Sequence, residues 1–196
     1  MVTRSGSDGL PLSAGPGADA LHGSGEGEVD RRWRRVLWAL STGLYVLGSS
    51  SGGHRNLMTI SWVTQVATEP RQVGVGIERK AVTMELVRTG GRFALSMLGV
   101  EDRSLVRRFA KPVPADEVVV DAEGTGTMRG EGVHAAVTGA PVLDRAVAYL
   151  DCQVVHVLDL QSHCWVVGTV VDAGFGADGE GAAILTMGDT RMNYGG

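Results

Sequence analysis

Short apolar runs alternate along the chain with clusters of small or polar residues, and the period of each run predicts its element. From Asp30, read as an N-cap, Trp33, Val36, Leu37 and Leu40 fall on one helical stripe that stops at Ser41, Thr42 and Gly43. A strand is expected over residues 44–48. After a loop of small residues, extended chain is expected over 54–68, where the β-branched Thr59, Ile60, Val63, Thr64 and Val66 gather and Glu69 and Pro70 close the run. Over 72–77, Val73, Val75 and Ile77 alternate with Gly74 and Gly76, which predicts a strand with one packed face and one face almost stripped of side chains. Such a bare face admits a close neighbour, either another strand or helix or a flat ligand.

Further on, Met84, Leu86 and Val87 place a short helix over 83–89, capped by Gly90 and Gly91, with a strand over 93–98. A second helix over 102–110 turns Leu105, Val106 and Phe109 inward and Arg103, Arg107 and Arg108 outward. Short strands follow near 118–121, 149–159, 164–173 and 182–187. Many short strands, two or three helices and no βαβ rhythm predict a mainly β barrel rather than a doubly wound sheet. Residues 1–29 are rich in Gly, Ser, Ala and Pro without either period, so they are expected to be a disordered tail ahead of one domain over 30–196.

Composition narrows the class. With 43% hydrophobic and 20% charged residues the chain reads as globular, and no apolar run approaches the length of a membrane helix. A net charge of −4 with both signs interspersed offers no field for a nucleic acid or an anionic membrane surface. Arg31, Arg32, Arg34 and Arg35 fit a solvated helix face. Cys152 and Cys164 lie in apolar surroundings without zinc spacing, and the five histidines are scattered singly, so buried thiols and no metal are expected. Because no basic start is followed by a compact apolar stretch, the cytoplasm is the expected compartment.

Hydrolase and kinase signatures such as G-x-S-x-G and the P-loop are missing. The informative stretch is N-L-M-T-I-S-W-V-T-Q-V (56–66), followed by V-G-V-G-I-E-R-K (73–80). Its hydroxyls, amides and peptide N–H groups suit the polar edge of an isoalloxazine, and Arg79 with Lys80 suits a phosphate. A plain strand-turn-strand with a solvated basic turn fits the same residues.

Several motifs in order, R-R-V-L-W-A-L-S-T-G (34–43), M-T-I-S-W-V-T-Q-V (58–66), G-I-E-R-K-A-V-T-M-E-L (76–86) and G-R-F-A-L-S-M-L (91–98), resemble flavin reductase-like domains. The resemblance is to the subgroup of flavoredoxin and the domains attached to rubredoxins and diflavin flavoproteins, and Y-L-D-C-Q-V (149–154) and H-C-W-V-V-G-T-V (163–170) extend it. It implies an FMN-binding split β-barrel of Greek-key type, mainly β with short helices, that forms a homodimer. Asn56, Met58, Thr59, Ser61, Trp62 and Thr64 would line the flavin, and Arg79, Lys80 and Thr83 would lie by its phosphate. His163 would sit near flavin and nicotinamide, or be satisfied by local backbone groups. The implied cofactor is FMN, with FAD the alternative, and NADH or NADPH the co-substrate. The implied activity is an NAD(P)H-dependent flavin reductase serving a flavin-dependent monooxygenase or another electron acceptor. An enzyme that keeps FMN bound and acts on an organic substrate, or a flavin-binding electron carrier, stands as the alternative. Two departures from the family are Glu69-Pro70-Arg71 in place of Asp-Pro-Pro and Ser162 in place of an acidic residue before the histidine. The polar and aromatic C-terminal residues 189–196 would lie near a neighbouring subunit.

Overall fold

The computed structural model describes residues 26–177 and 179–190. Of the tail expected over residues 1–29, the part up to residue 25 lies outside the described residues, as do the C-terminal residues 191–196, whereas residues 26–29 depart from the expectation and form the first turn of a helix. The chain divides into two compact units between Ala39 and Leu40. In the first, helix α1 (Glu26–Leu37) carries Arg34 and Arg35 in its last turn, where cations complement the helix dipole. Asp30 does not cap it. It lies one turn inside and pairs with Arg34 at 2.9 Å, so the helix starts before the expected boundary at residue 30 and ends earlier, at Leu37.

The second unit is mainly β. Its elements are β1 (Tyr45–Ser51), β2 (His54–Ile60), β3 (Val63–Thr68), β4 (Arg71–Glu78), α2 (Val82–Gly90), β5 (Arg92–Met97), α3 (Arg103–Arg108), β6 (Val118–Val120), β7 (Gly126–Met128), β8 (Glu131–Ala135), β9 (Pro141–Leu143), β10 (Ala148–Leu160) and β11 (His163–Phe175). Seven strands form one antiparallel sheet in the order β2-β1-β5-β10-β11-β4-β3. Its two edges, β2 and β3, are consecutive in the chain and joined only by Ser61 and Trp62. In a flat sheet these edges would stand roughly 29 Å apart, and the link spans only about 10 Å. The sheet therefore rolls into an unclosed barrel, with the ladder open between β2 and β3.

Alternation decides what each face packs against. Leu47, Val75, Ile77, Phe93, Leu95, Cys152 and Val166 fill the inside of the roll. Met84 and Val87 of α2 plug one end of it, both fully buried. Gly91 ends α2 in the left-handed region (φ 65°), where a glycine carries no Cβ penalty, and its N–H returns to the Val87 carbonyl at 3.0 Å. Leu44 just ahead of β1, with Val46 of β1 and Leu57 of β2 on the opposite face, belongs to a second core. That core lies with Leu105 and Phe109 of the α3 segment and Met128, Val133 and Leu143 of a small sheet, β6-β7-β8-β9. Each fully buried Leu or Phe contributes roughly 1.5–3 kcal/mol.

Three sequence expectations change. The extended run over 54–68 breaks at Ser61–Trp62, because the chain passes there from one edge of the sheet to the other. Around 182–187 no ladder forms; Gly99 bridges Ile184 and Gly43 bridges Thr186, and a short turn begun by a Thr186–Asp189 capping box follows. Strands β7 to β9 are three to five residues long and lie among glycines, too short to leave a readable period.

Candidate functional site

The two glycines of β4 organise the outer surface of the roll. Paired with β11, Gly76 lies opposite Trp165, and Glu78 lies opposite His163. A Cβ on Gly74 would collide with the Trp165 indole, and one on Gly76 would come within 3.0 Å of Trp62 Cε3. The neighbour admitted by the bare face is thus a pair of tryptophan side chains, neither a strand nor a helix, and any flat ligand has to meet the indoles rather than the glycine backbone. Trp62 is anchored because its carbonyl accepts the Gly76 N–H at 2.9 Å. Its ring lies 4.6 Å from that of His163, at 45°. Trp62 remains 39% exposed, so the Trp62–His163–Trp165 cluster presents an aromatic surface to solvent.

A cationic turn adjoins this surface. The Arg79 N–H donates to the Ser162 carbonyl at 3.0 Å, which fixes the β4–α2 turn against the β10–β11 turn. The Arg79 guanidinium lies 3.5 Å from Asp159, and Arg88 of α2 reaches the same carboxylate at 2.5 Å. The Cys164 thiol donates to Asp159 at 3.0 Å, and together with the Arg88 guanidinium it holds that carboxyl below the usual carboxylate range. Lys80 is exposed and has no bonded partner among the described residues. Lys80, and Arg79 beside its carboxylate partner Asp159, are therefore surface cations that an anion can approach along the turn.

The residues singled out from sequence separate into two sets. Asn56 is 2% exposed, donates from Nδ2 to Thr83 Oγ1 at 2.7 Å and accepts the Val113 N–H at 2.8 Å. Thr59 points to the other face of β2, where its hydroxyl donates to the Val106 carbonyl at 2.9 Å and its N–H to the Phe109 carbonyl at 3.0 Å. These bonds join the free edge of β2 to the 106–113 segment, so the side chains of Asn56, Thr59 and Thr83 are committed inside the protein. Met58 packs partly buried against the inner core, and Ser61 is 4% exposed at the crossing between the edges. Trp62, Thr64, Arg79, Lys80 and His163 form the accessible set, the last four flanking or following Trp62 along β3, β4 and β11.

The donor set fits a flavin. β3 is an edge strand paired only with β4, so half of its peptide N–H and C=O groups face away from the ladder. Beside them stand an aromatic surface and two cations. Trp165, Arg88 and Asp159 were not among the site residues expected from sequence. The Gly74/Gly76 spacing was the available signal for Trp165, since a strand stripped at alternate positions calls for a large side chain on the strand beside it. Among the described residues no group of three or more His, Cys, Asp or Glu is placed to hold a metal.

An unclosed antiparallel roll with this edge and this turn has the architecture of a flavin reductase-like domain. Residues 37–196 match the family described as Flavin reductase like domain, and the chain belongs to it. It is 28% identical over 154 residues to diflavin flavoprotein A 1 of Synechocystis sp., covering 78% of this chain and 25% of that one. It is also 28% identical to the high molecular weight rubredoxin of Moorella thermoacetica, covering 74% and 61%. The chain thus spans about a quarter of the length of the diflavin flavoproteins it matches. Among solved structures it shares the fold of nitrilotriacetate monooxygenase component B from Mycobacterium thermoresistibile, with a TM-score of 0.67 at 21% identity over 78% of this chain and 79% of that one. The NADH:FAD oxidoreductase of Streptomyces globisporus C-1027 also has a TM-score of 0.67, at 22% identity over 80% and 87%.

Proposed function

We propose that this chain binds FMN, or FAD, along the Ser61–Thr64 crossing and the outward edge of β3, and works as an NAD(P)H-dependent flavin reductase. The observation that carries the reading is the adjacency of the Trp62–His163–Trp165 surface to the Arg79–Lys80 turn at one end of β4. An aromatic surface beside paired cations suits a ligand with a flat ring at one end and a phosphate at the other. Asn56 and Thr83, placed by sequence at the ligand, serve in this reading as the brace that holds β2 against α2, and Met58 and Thr59 as its packing.

When bound, the flavin supplies hydride acceptance at its ring. The chain's own residues supply alignment: Trp62 and Trp165 set the plane of the surface, His163 borders it, and Arg79 and Lys80 fix the phosphate end. No side chain has to act as a strong acid or base for hydride transfer, so positioning is the protein's contribution. The neighbouring NADH:FAD oxidoreductase supports the pyridine-nucleotide half of the proposal. The monooxygenase component B neighbour supports delivery of reduced flavin to a separate oxygenase.

In the same proposal the chain is a cytoplasmic homodimer, with the residues ahead of helix α1 a tail outside the flavin-binding domain. Exposed Leu158 and Leu160, alternate residues of β10 at the turn end of the long hairpin, at 58 and 51%, support a partner surface there. No described helix is long and apolar enough to cross a membrane. The test separates the two halves: flavin fluorescence follows FMN and FAD titrations of the apo-protein, and nicotinamide absorbance follows NADH and NADPH oxidation with flavin present. Saturable binding with turnover is expected. Binding without turnover leaves a flavin carrier, and absence of binding ends the proposal.

A further inference from the structure

The rolled sheet has two ends of different character. At one, Met84 and Val87 of α2 close over Ile77 and Phe93, all fully buried. At the other, no helix among the described residues of this unit lines the interior, and the side chains of Tyr45, Val73, Leu95, Met97, Leu150 and Val170 border an open groove of about 430 Å³. That volume lies within the range of sites for small organic molecules. The groove is concave and drawn from strands β1, β3, β4, β5, β10 and β11, so its shape is set by the sheet rather than by a loop.

Its rim is polar on one side only. Arg71 and Gln72 stand where β3 turns into β4, and Thr64 and Gln65 lie further along β3. Gln72 Nε2 donates to Thr169 Oγ1 at 3.3 Å, and Gln65 Nε2 to the Ala67 carbonyl at 3.2 Å, so these two amides are held in place. Arg71 is different. It shares the inward face of β4 with Val73, Val75 and Ile77, is exposed, and has no ion pair or side-chain hydrogen bond among the described residues. Among the described residues it is also the only charged one lining the groove. The hydroxyl of Tyr45, another lining residue, lies over Gly43 where a side chain would collide and likewise has no bonded partner among the described residues.

We infer that this open end is a second ligand site, distinct from the Trp62–His163 surface, which takes a small apolar carboxylate: one or two rings in the groove and the carboxylate on Arg71. The charge complement selects the class. An apolar pouch alone would take any hydrocarbon body, whereas a lone guanidinium at its rim rewards an anion and suits a planar carboxylate through paired N–H donors. The inference goes beyond the flavin proposal and shares only Val63, Thr64 and Gln65 of β3 with it.

The experiment uses the full-length protein without flavin and two probes of one shape, 1-naphthoate and the neutral 1-naphthalenemethanol, each titrated calorimetrically. Naphthoate should bind once per chain and about tenfold or more tighter than the alcohol, the margin of a charge-assisted contact. Arg71→Gln should bring the two affinities together. Leu150→Trp, which fills the groove, should abolish both; if circular dichroism shows that variant unfolded, Val170→Met provides the milder filling. FMN titration of Arg71→Gln should match the unsubstituted protein, so failure of the flavin proposal would show there and leave the naphthoate result intact. Equal binding of both probes, or naphthoate binding indifferent to Arg71, overturns the inference. So does absence of probe binding in a protein whose dimer dissociates on Leu150→Trp, since the groove would then belong to a second copy of the chain.

Discussion

The rings of Trp62 and His163 lie 4.6 Å apart and inclined at 45°, although 100 positions separate them in sequence. Two backbone features bring them together. Gly76 has no side chain to lift Trp62 off β4, and the β11–β4 register puts His163 opposite Glu78, two residues further along the same strand. The contact therefore depends on β4 and not on either ring alone.

Removing the indole exposes this dependence. Trp62→Ala should weaken flavin binding by roughly 1–3 kcal/mol through lost ring contact, while Trp62→Phe keeps most of it. Fluorescence titration of flavin against each variant reads the difference, and equal affinity in all three proteins would place the flavin elsewhere.

The cationic turn is tested by ligand choice. Arg79→Ala with Lys80→Ala should weaken FMN far more than riboflavin, because only FMN carries the phosphate that they would meet. Parallel losses for both ligands would remove the turn from the phosphate end.

Gly74 bears on stability rather than binding. Its Cβ position falls within the Trp165 ring, so Gly74→Ala forces the indole or the strand to move and should cost about 1–3 kcal/mol. Urea denaturation gives the cost, and tryptophan emission reports the displaced ring; an unchanged midpoint would mean that Trp165 swings away freely.

Asn56 separates bracing from binding. Truncation to Ala leaves the buried Val113 N–H without its acceptor and Thr83 without its donor, a loss of about 1–3 kcal/mol in stability. At temperatures where Asn56→Ala is fully folded, its FMN affinity should stay near that of the unsubstituted protein. A loss of affinity without a loss of stability would return Asn56 to the ligand.

How much of this arrangement was legible in the sequence follows from range. The helical stripe of Leu105, Val106 and Phe109, the alternation of Val73, Val75 and Ile77, and the burial of both cysteines are local patterns, and each stands in the structure as read. The series Asn56 to Thr64 was readable as a unit but not by face. A strand sends neighbours to opposite sides, and only the packing of the 106–113 segment on the β2 edge decides that Thr59 turns inward to Val106. Trp165 and Asp159 come into place through strand register across nearly a hundred residues, which no local period encodes. Strands β7 to β9 escaped because strands of three to five residues among glycines resemble loops.

A pH dependence follows from Cys152. Burial, with a smaller effect from Asp151, pushes its thiol up to about 12. An unfolded chain releases that proton near pH 8.5, so unfolding releases a proton between about pH 8.5 and 12. The stability tied to the protonated thiol is complete below that window and declines as pH rises through it. Cys152→Ala should flatten the fall in urea midpoint between roughly pH 8 and 10.5 relative to the unsubstituted protein; identical slopes would show that other groups govern alkaline unfolding.

Strand β1 sends Leu47 into the roll and Val46 into the core beneath the small sheet, so both interiors lean on the same seven residues. Opening either interior strips one side of that strand and loosens the other. The barrel and the small sheet with α3 should consequently lose structure in a single step, and the amide protons of β1 and of its neighbour β5 should exchange with deuterium only through whole-body unfolding. Ligands at the outer edge of β3 would leave that slowest exchange class raised uniformly rather than locally, because the edge they hold is hydrogen-bonded through β4, β11 and β10 to the strands that open last.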